Sequence, residues 1–170
     1  MSVFRLPRVT ATRAPRGWYY PANRSDIVHL LRFFGPEVTY GLKSIELIPA
    51  PSLSKRPRLG ALVVPGQIKL YALRPSPWVL TGTVSNAERQ RLTRAGAVVS
   101  VVGGGLQTTV DWPGDTLRDF VLFDVLMHEI GHHIVQQYTG NRAGRVLRTR
   151  DHEAFAERFA RRCREEFARS

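Results

Sequence analysis

The sequence predicts an α+β fold: a small mixed sheet drawn from the middle of the chain, packed against two helices at its C-terminal end. Three observations point to it. Between residues 44 and 110, short β-branched runs alternate with proline and glycine, the pattern of strands and turns. From residue 115 onward, apolar residues recur at helical spacing. The chain has 170 residues, 43% hydrophobic and 23% charged, which suits one compact domain with a sizeable core.

Taken in order, residues 1–24 read as a basic, proline-containing, irregular arm, with Trp18, Tyr19 and Tyr20 as anchors onto the body, and residues 25–170 as a single domain. Ser25 is the expected N-cap of a helix to Phe34, with Ile27, Leu30, Leu31 and Phe34 on one face and Gly35-Pro36 as the stop. His29 on this helix reads as an ordinary surface histidine. Ser44–Ile48 is strand-like and ends at Pro49. Residues 51–60 form a basic loop. Ala61–Val64 and Gln67–Leu73 are strands separated by the turn Pro65-Gly66. Trp78–Val84 is a further apolar run, and Asn86–Arg94 a short polar helix. Ala97–Val102 and Leu106–Val110 are β-branched runs joined across three glycines. No Gly-Lys-Ser/Thr follows those glycines, so a hairpin turn fits them better than a phosphate cradle. Asp115 or Thr116 caps a helix reaching Tyr138, closed by Gly140. A Gly- and Arg-rich loop, 141–150, leads to a last helix capped by Asp151.

Composition narrows the chemistry. The single cysteine, Cys163, forms no internal disulfide and rules out a thiolate cage, so a metal would have to be held by histidine and carboxylate. Cys163 falls in the helical stripe Phe155, Phe159, Cys163, Phe167 and reads as a buried, inert thiol. No apolar run is long enough to span a bilayer, and the N-terminus lacks a secretory pattern; the expected location is cytoplasmic, with no membrane partner. The net charge of +11, from 25 basic and 14 acidic residues, implies affinity for an acidic partner or nucleic acid. No recognised nucleic-acid reader motif accompanies it.

The motif that carries chemistry is His128-Glu129-x-x-His132. At about 100° per residue, positions four apart lie about 40° from each other on a helix, so both imidazoles can reach one ion. Glu129, one residue along, points too far around to be a comfortable co-ligand but can accept a proton from a water on the ion's open side. The surrounding helix is apolar nearly all round, from Phe120 to Val135, and several polar groups buried there need a compensating partner. His133 points about 100° from His132 and reads as a packed neighbour. The next helix offers a carboxylate at Glu153 and, one position earlier, His152, a rival third ligand. Asp124, one turn before His128, is either a support to the site or a solvated carboxylate.

Together with Glu153-x-x-Ala156-Glu157-x-Phe159-Ala160, the motif resembles the gluzincin branch of the zincin-fold zinc metallopeptidases, particularly the minimal gluzincins and the intracellular peptidases that cleave repressors. The resemblance covers roughly residues 115–162. It implies a zincin-like fold and one zinc ion per chain, held by His128, His132 and Glu153, with Glu129 as general base. Glu157 would orient a ligand histidine, although the family position is more often Asp or Asn. It further implies a peptide or protein substrate lying along an edge strand, for which Leu106–Val110 or Gln67–Leu73 are the candidates. Tyr138 and Tyr71 are candidates for stabilising the oxyanion. The expected function is zinc-dependent hydrolysis of peptide bonds. The competing expectations are a catalytically silent binding or regulatory protein of the same fold, and a basic nucleic-acid-binding protein.

Overall fold

The computed structural model describes residues 4–51, 56–138 and 149–170. Residues 52–55 of the basic loop at 51–60, the helix stop at Gly140 and most of the 141–150 loop lie outside the described residues. Among the described residues the architecture is mixed α+β with two small sheets.

The first sheet has the order β1-β2-β4-β3, with β1 Arg8–Ala11, β2 Ser44–Ile48, β3 Gly60–Val64 and β4 Gln67–Tyr71. β1 and β4 both run parallel to β2, and β3 is antiparallel to β4. The arm expected to be irregular therefore supplies a strand. Val9 pairs with Ile45 in register and is buried, and Tyr19 bridges to Leu73. The β3–β4 turn depends on Gly66, whose φ of +79° suits glycine. Its carbonyl accepts from the Lys43 and Ser44 amides at 2.8 and 3.2 Å, tying the turn to the start of β2. The inward residues Ile45, Leu47, Leu62, Ile68 and Leu70 are all buried, the period-2 pattern of a sheet covered on one face.

The second sheet is antiparallel, β5-β7-β6, with β5 Trp78–Thr81, β6 Val98–Val102 and β7 Gln107–Asp111. It joins the helical layer through an aromatic chain: Trp78 lies 5.3 Å from Trp112, which lies 4.8 Å from Phe120. Both segments expected to be a substrate-binding edge are interior strands. β4 lies between β2 and β3, and β7 between β5 and β6. The cause is the parallel pairing of β4 with β2, which seals one side of β4 and leaves β3 outermost, with Val63 and Val64 exposed.

Helix α1, Arg24–Phe34, starts one residue earlier than expected. Its cap is Asn23, which forms a capping box with Asp26 at 2.8 and 3.0 Å. It ends at Gly35, after which a short α2, Pro36–Thr39, follows. α3 spans Asn86–Arg94, capped by Ser85.

The expected helix 116–138 is one helical rod in three parts: α4, Thr116–Asp119; a π-helical segment, Phe120–Met127; and α5, His128–Tyr138. The π winding stops at the first histidine of the motif. π segments of this kind occur frequently at functional sites. Every residue of the segment except Asp124 is buried, so no polar face dictates an α register there. α6, Arg150–Ala168, is capped by Thr149, not Asp151. Phe159 and Cys163 of its stripe are buried, and Phe155 and Phe167 are half-buried. Burial pushes the Cys163 thiol up to about 12, as an inert thiol requires. Among the described residues, no helix is long and apolar enough to cross a membrane.

Candidate metal centre

α5 and α6 cross at a point where neither can carry a larger side chain. A Cβ placed on Gly131 would stand 2.8 Å from the Ala156 Cα and 3.2 Å from its Cβ. Glycine in the middle of a helix is unfavourable by about 1 kcal/mol relative to alanine, and here it permits close approach. The approach brings the first turn of α6 over the face of α5 that carries His128 and His132.

Glu153 is held in that first turn by the cap. Its amide donates to the Thr149 carbonyl at 3.0 Å, and the His152 amide donates to the Thr149 hydroxyl at 3.3 Å. The His128 and His132 rings meet edge to face, with centroids 4.8 Å apart and planes at 75°, and their Nε2 atoms are 3.2 Å from each other. The Glu153 carboxylate bridges them: Oε2 is 3.2 Å from His128 Nε2, and Oε1 is 3.2 Å from His132 Nε2. A neutral imidazole carries one N–H and one lone-pair nitrogen and a carboxylate only accepts, so lone-pair nitrogens brought this close to each other and to Glu153 need a proton or a cation between them. Donors held at tetrahedral angles by zinc bonds of about 2.0–2.1 Å lie roughly 3.3–3.4 Å apart. The spacing and the His₂-carboxylate donor set therefore fit a zinc ion. His152 lies outside this cluster.

Shelter is graded across the three side chains. His132 is 1% exposed, His128 15% and Glu153 42%, so the cluster is closed at His132 and reached by solvent at Glu153. Glu129 is buried at 6%, which places a carboxylate in the apolar layer directly after the first histidine.

Comparison of the chain with models of protein families, with characterised proteins and with solved structures finds no match. The site is therefore read from its own geometry.

The remaining candidates separate clearly. His133 is fully buried and its Nε2 meets the Tyr40 carbonyl at 2.9 Å; burial holds its pKa below the usual histidine value, as expected of a neutral packing residue. Asp124 is ion-paired with Arg164, and its backbone carbonyl accepts from Arg91 Nη2 at 2.9 Å. Of the two expectations for Asp124, a support to the site or a solvated carboxylate, the structure shows neither directly: its carboxylate is engaged by an arginine of α6. Glu157 was expected beside a ligand histidine, but it lies exposed on a cleft wall, and among the described residues no hydrogen bond or ion pair joins it to either one. One added turn of α6 carries Glu157 past the histidines, since Glu153 already occupies the turn that faces them. Tyr71 is buried under the Arg58 guanidinium and does not line the cleft that His128 lines. The Tyr138 side chain is outside the described residues.

Two features escaped the sequence reading. One is the Gly131–Ala156 contact, signalled only by a glycine inside a helix that has no need to bend. The other is a cleft of about 560 Å³ beside His128, between α3, the π segment and α6. Its arginines come from helices roughly 70 residues apart in sequence, at i, i+3 spacing within each.

Proposed function

We propose that the chain is a zinc-dependent hydrolase, a metallopeptidase of gluzincin type with a zincin-like arrangement of its two C-terminal helices. The observation that carries the reading is the convergence of His128, His132 and Glu153 from two helices onto one point, with every described contact at 3.2 Å. Structural zinc sites usually close with four protein ligands, whereas three ligands and an open side suit catalysis. Zinc bound there supplies a Lewis acid that activates water near neutral pH and polarises a carbonyl.

The chain's own residues do the rest. His128 and His132 orient the site from consecutive turns of α5, and Glu153 completes it from α6. Glu129 accepts the proton of the attacking water on its carboxylate and returns it to the leaving amine. β3, the edge strand in contact with α5, offers unpaired backbone groups to an extended peptide.

Zinc content and turnover test this together. Purified protein should carry about one zinc per chain, and His128→Ala or His132→Ala should remove most of it. Glu129→Gln should keep zinc and fold while abolishing peptide cleavage, so cleavage at the wild-type rate by that variant would rule out the mechanism.

A further inference from the structure

The cleft beside His128 is lined by four arginines: Arg91 and Arg94 from α3, and Arg161 and Arg164 from α6. Three acidic residues share the lining, Glu88, Asp124 and Glu157, and two of them are already engaged. Arg56 chelates Glu88 with contacts of 3.0 and 2.8 Å, and Arg164 pairs with Asp124. Arg91 is fixed to the Asp124 carbonyl at 2.9 Å and lies over the Phe120 ring, while Arg164 lies over Phe123. These two guanidinium groups are therefore pre-positioned by aromatic and backbone contacts. Arg94 and Arg161 make no hydrogen bond or ion pair to a protein group among the described residues.

Cations in the last turn of α3 are explained in part by its helix dipole. That account does not reach Arg161 and Arg164, which stand in the body of α6 yet face the same cleft. With Arg164 paired to Asp124 and Glu88 to Arg56, Arg91, Arg94 and Arg161 face the one remaining carboxylate of the lining, Glu157, and this excess of positive charge raises the local concentration of anions. Arginine is also the side chain best shaped to hold a carboxylate with paired hydrogen bonds.

We propose that this cleft is a substrate subsite for a carboxylate, so that the enzyme acts on acidic peptides. The inference rests on the hydrolase reading for the reaction but not for the binding. A space of about 560 Å³ is roughly 8 Å across and accommodates about two residues of extended chain. The acidic group therefore lies within about two residues of the bond presented to His128, His132 and Glu153. The carboxylate belongs either to an Asp or Glu side chain or to a peptide C-terminus, and the experiment separates these sources.

Fluorescein-labelled peptide pools of one length, composed of acidic, uncharged or basic residues and each made with a free or an amidated C-terminus, are titrated against zinc-loaded Glu129→Gln protein by anisotropy. The same pools are offered to wild-type protein and cleavage is followed. Acidic peptides should bind about tenfold or more tightly than uncharged ones, with affinity falling as salt rises. The pair Arg94→Gln and Arg161→Gln, introduced together, should erase that preference while zinc content and melting temperature stay unchanged. A preference kept by amidated acidic peptides assigns the site to a side chain; one that follows the free C-terminus in all pools assigns it to the terminal carboxylate. Both support the subsite. Equal binding of all pools, or a preference that survives the double substitution, overturns it. Cleavage of every pool regardless of charge leaves the hydrolase standing without the subsite, whereas charge-selective binding with no cleavage leaves the subsite without the hydrolase.

Discussion

Gly131→Ala tests whether close helix contact builds the site. The new Cβ would stand 2.8 Å from the Ala156 Cα, and ordinary contact begins at 3.4 Å, so the helices must part by about 0.6 Å (3.4 − 2.8) or more. Glu153 is three residues before Ala156 on the same rigid helix, so most of that displacement reaches its carboxylate. Metal sites tolerate only about 0.2 Å of departure in their bond lengths. The fold itself is expected to lose little. Alanine is favoured over glycine within a helix by about 0.8–1.0 kcal/mol, against about 1–3 kcal/mol for overpacking, leaving a net loss of about 0–2 kcal/mol. Zinc affinity, measured by competition with a chromogenic chelator, should fall about tenfold or more, as for other disturbances of a site's support. Melting of the zinc-free protein should shift by a few degrees only. Adding Ala156→Gly relieves the 3.2 Å contact but not the 2.8 Å one, so rescue should be partial. Zinc affinity within twofold of wild type in the folded Gly131→Ala protein would refute the reasoning.

Two further outcomes are expected. Glu153→Ala should release zinc, whereas His152→Ala should retain it, as metal analysis of the two purified variants would reveal; the reverse result would transfer the third position to His152. The raised pKa of Cys163, about 12, means that native protein at pH 8 should resist iodoacetamide while denatured protein reacts readily. Because the folded value lies above the unfolded one, the thiol's contribution to stability is complete below about pH 8.5 and declines as pH rises toward 12, which denaturant titrations at pH 8 and pH 10.5 would register.

Much of the fold could be read from local signals. Ser44–Ile48 and Asn86–Arg94 coincide with their expected limits, because proline bounds the strand and serine caps the helix. β1 was missed for the opposite reason: it is four residues long, only Val9 is buried, and its partner lies some 36 residues away. Strand order is likewise a non-local matter, so the edge could not be found by inspecting β4 or β7 singly. The start of α6 depended on whether Thr149 or Asp151 supplied the cap, and both residue types are good caps. At the site, the i, i+4 histidines were legible because helix geometry alone joins them. The proximity of Glu153 was suggested by resemblance and by a downstream carboxylate, while the exposure of Glu157 followed from helix crossing, which no single helix encodes. The π segment left no trace in the pattern, since an all-apolar run accepts either winding.

The graded shelter of the cluster also separates how tightly an ion is held from how quickly it leaves. On the metalloenzyme reading, the deep imidazole of His132 cannot be approached by water or a chelator, so release must begin at the outermost group, the Glu153 carboxylate. With that arm swung aside, only His128 and His132 would hold an ion, and an incoming chelator would reach it past Glu153. The residence time of a bound metal would then be governed by fluctuations of a single helical turn, the one beginning at Thr149, whatever the equilibrium affinity. Substitutions that stiffen this turn would lengthen residence without changing any donor atom, and loosening it would let the protein exchange metal rapidly while still binding it strongly.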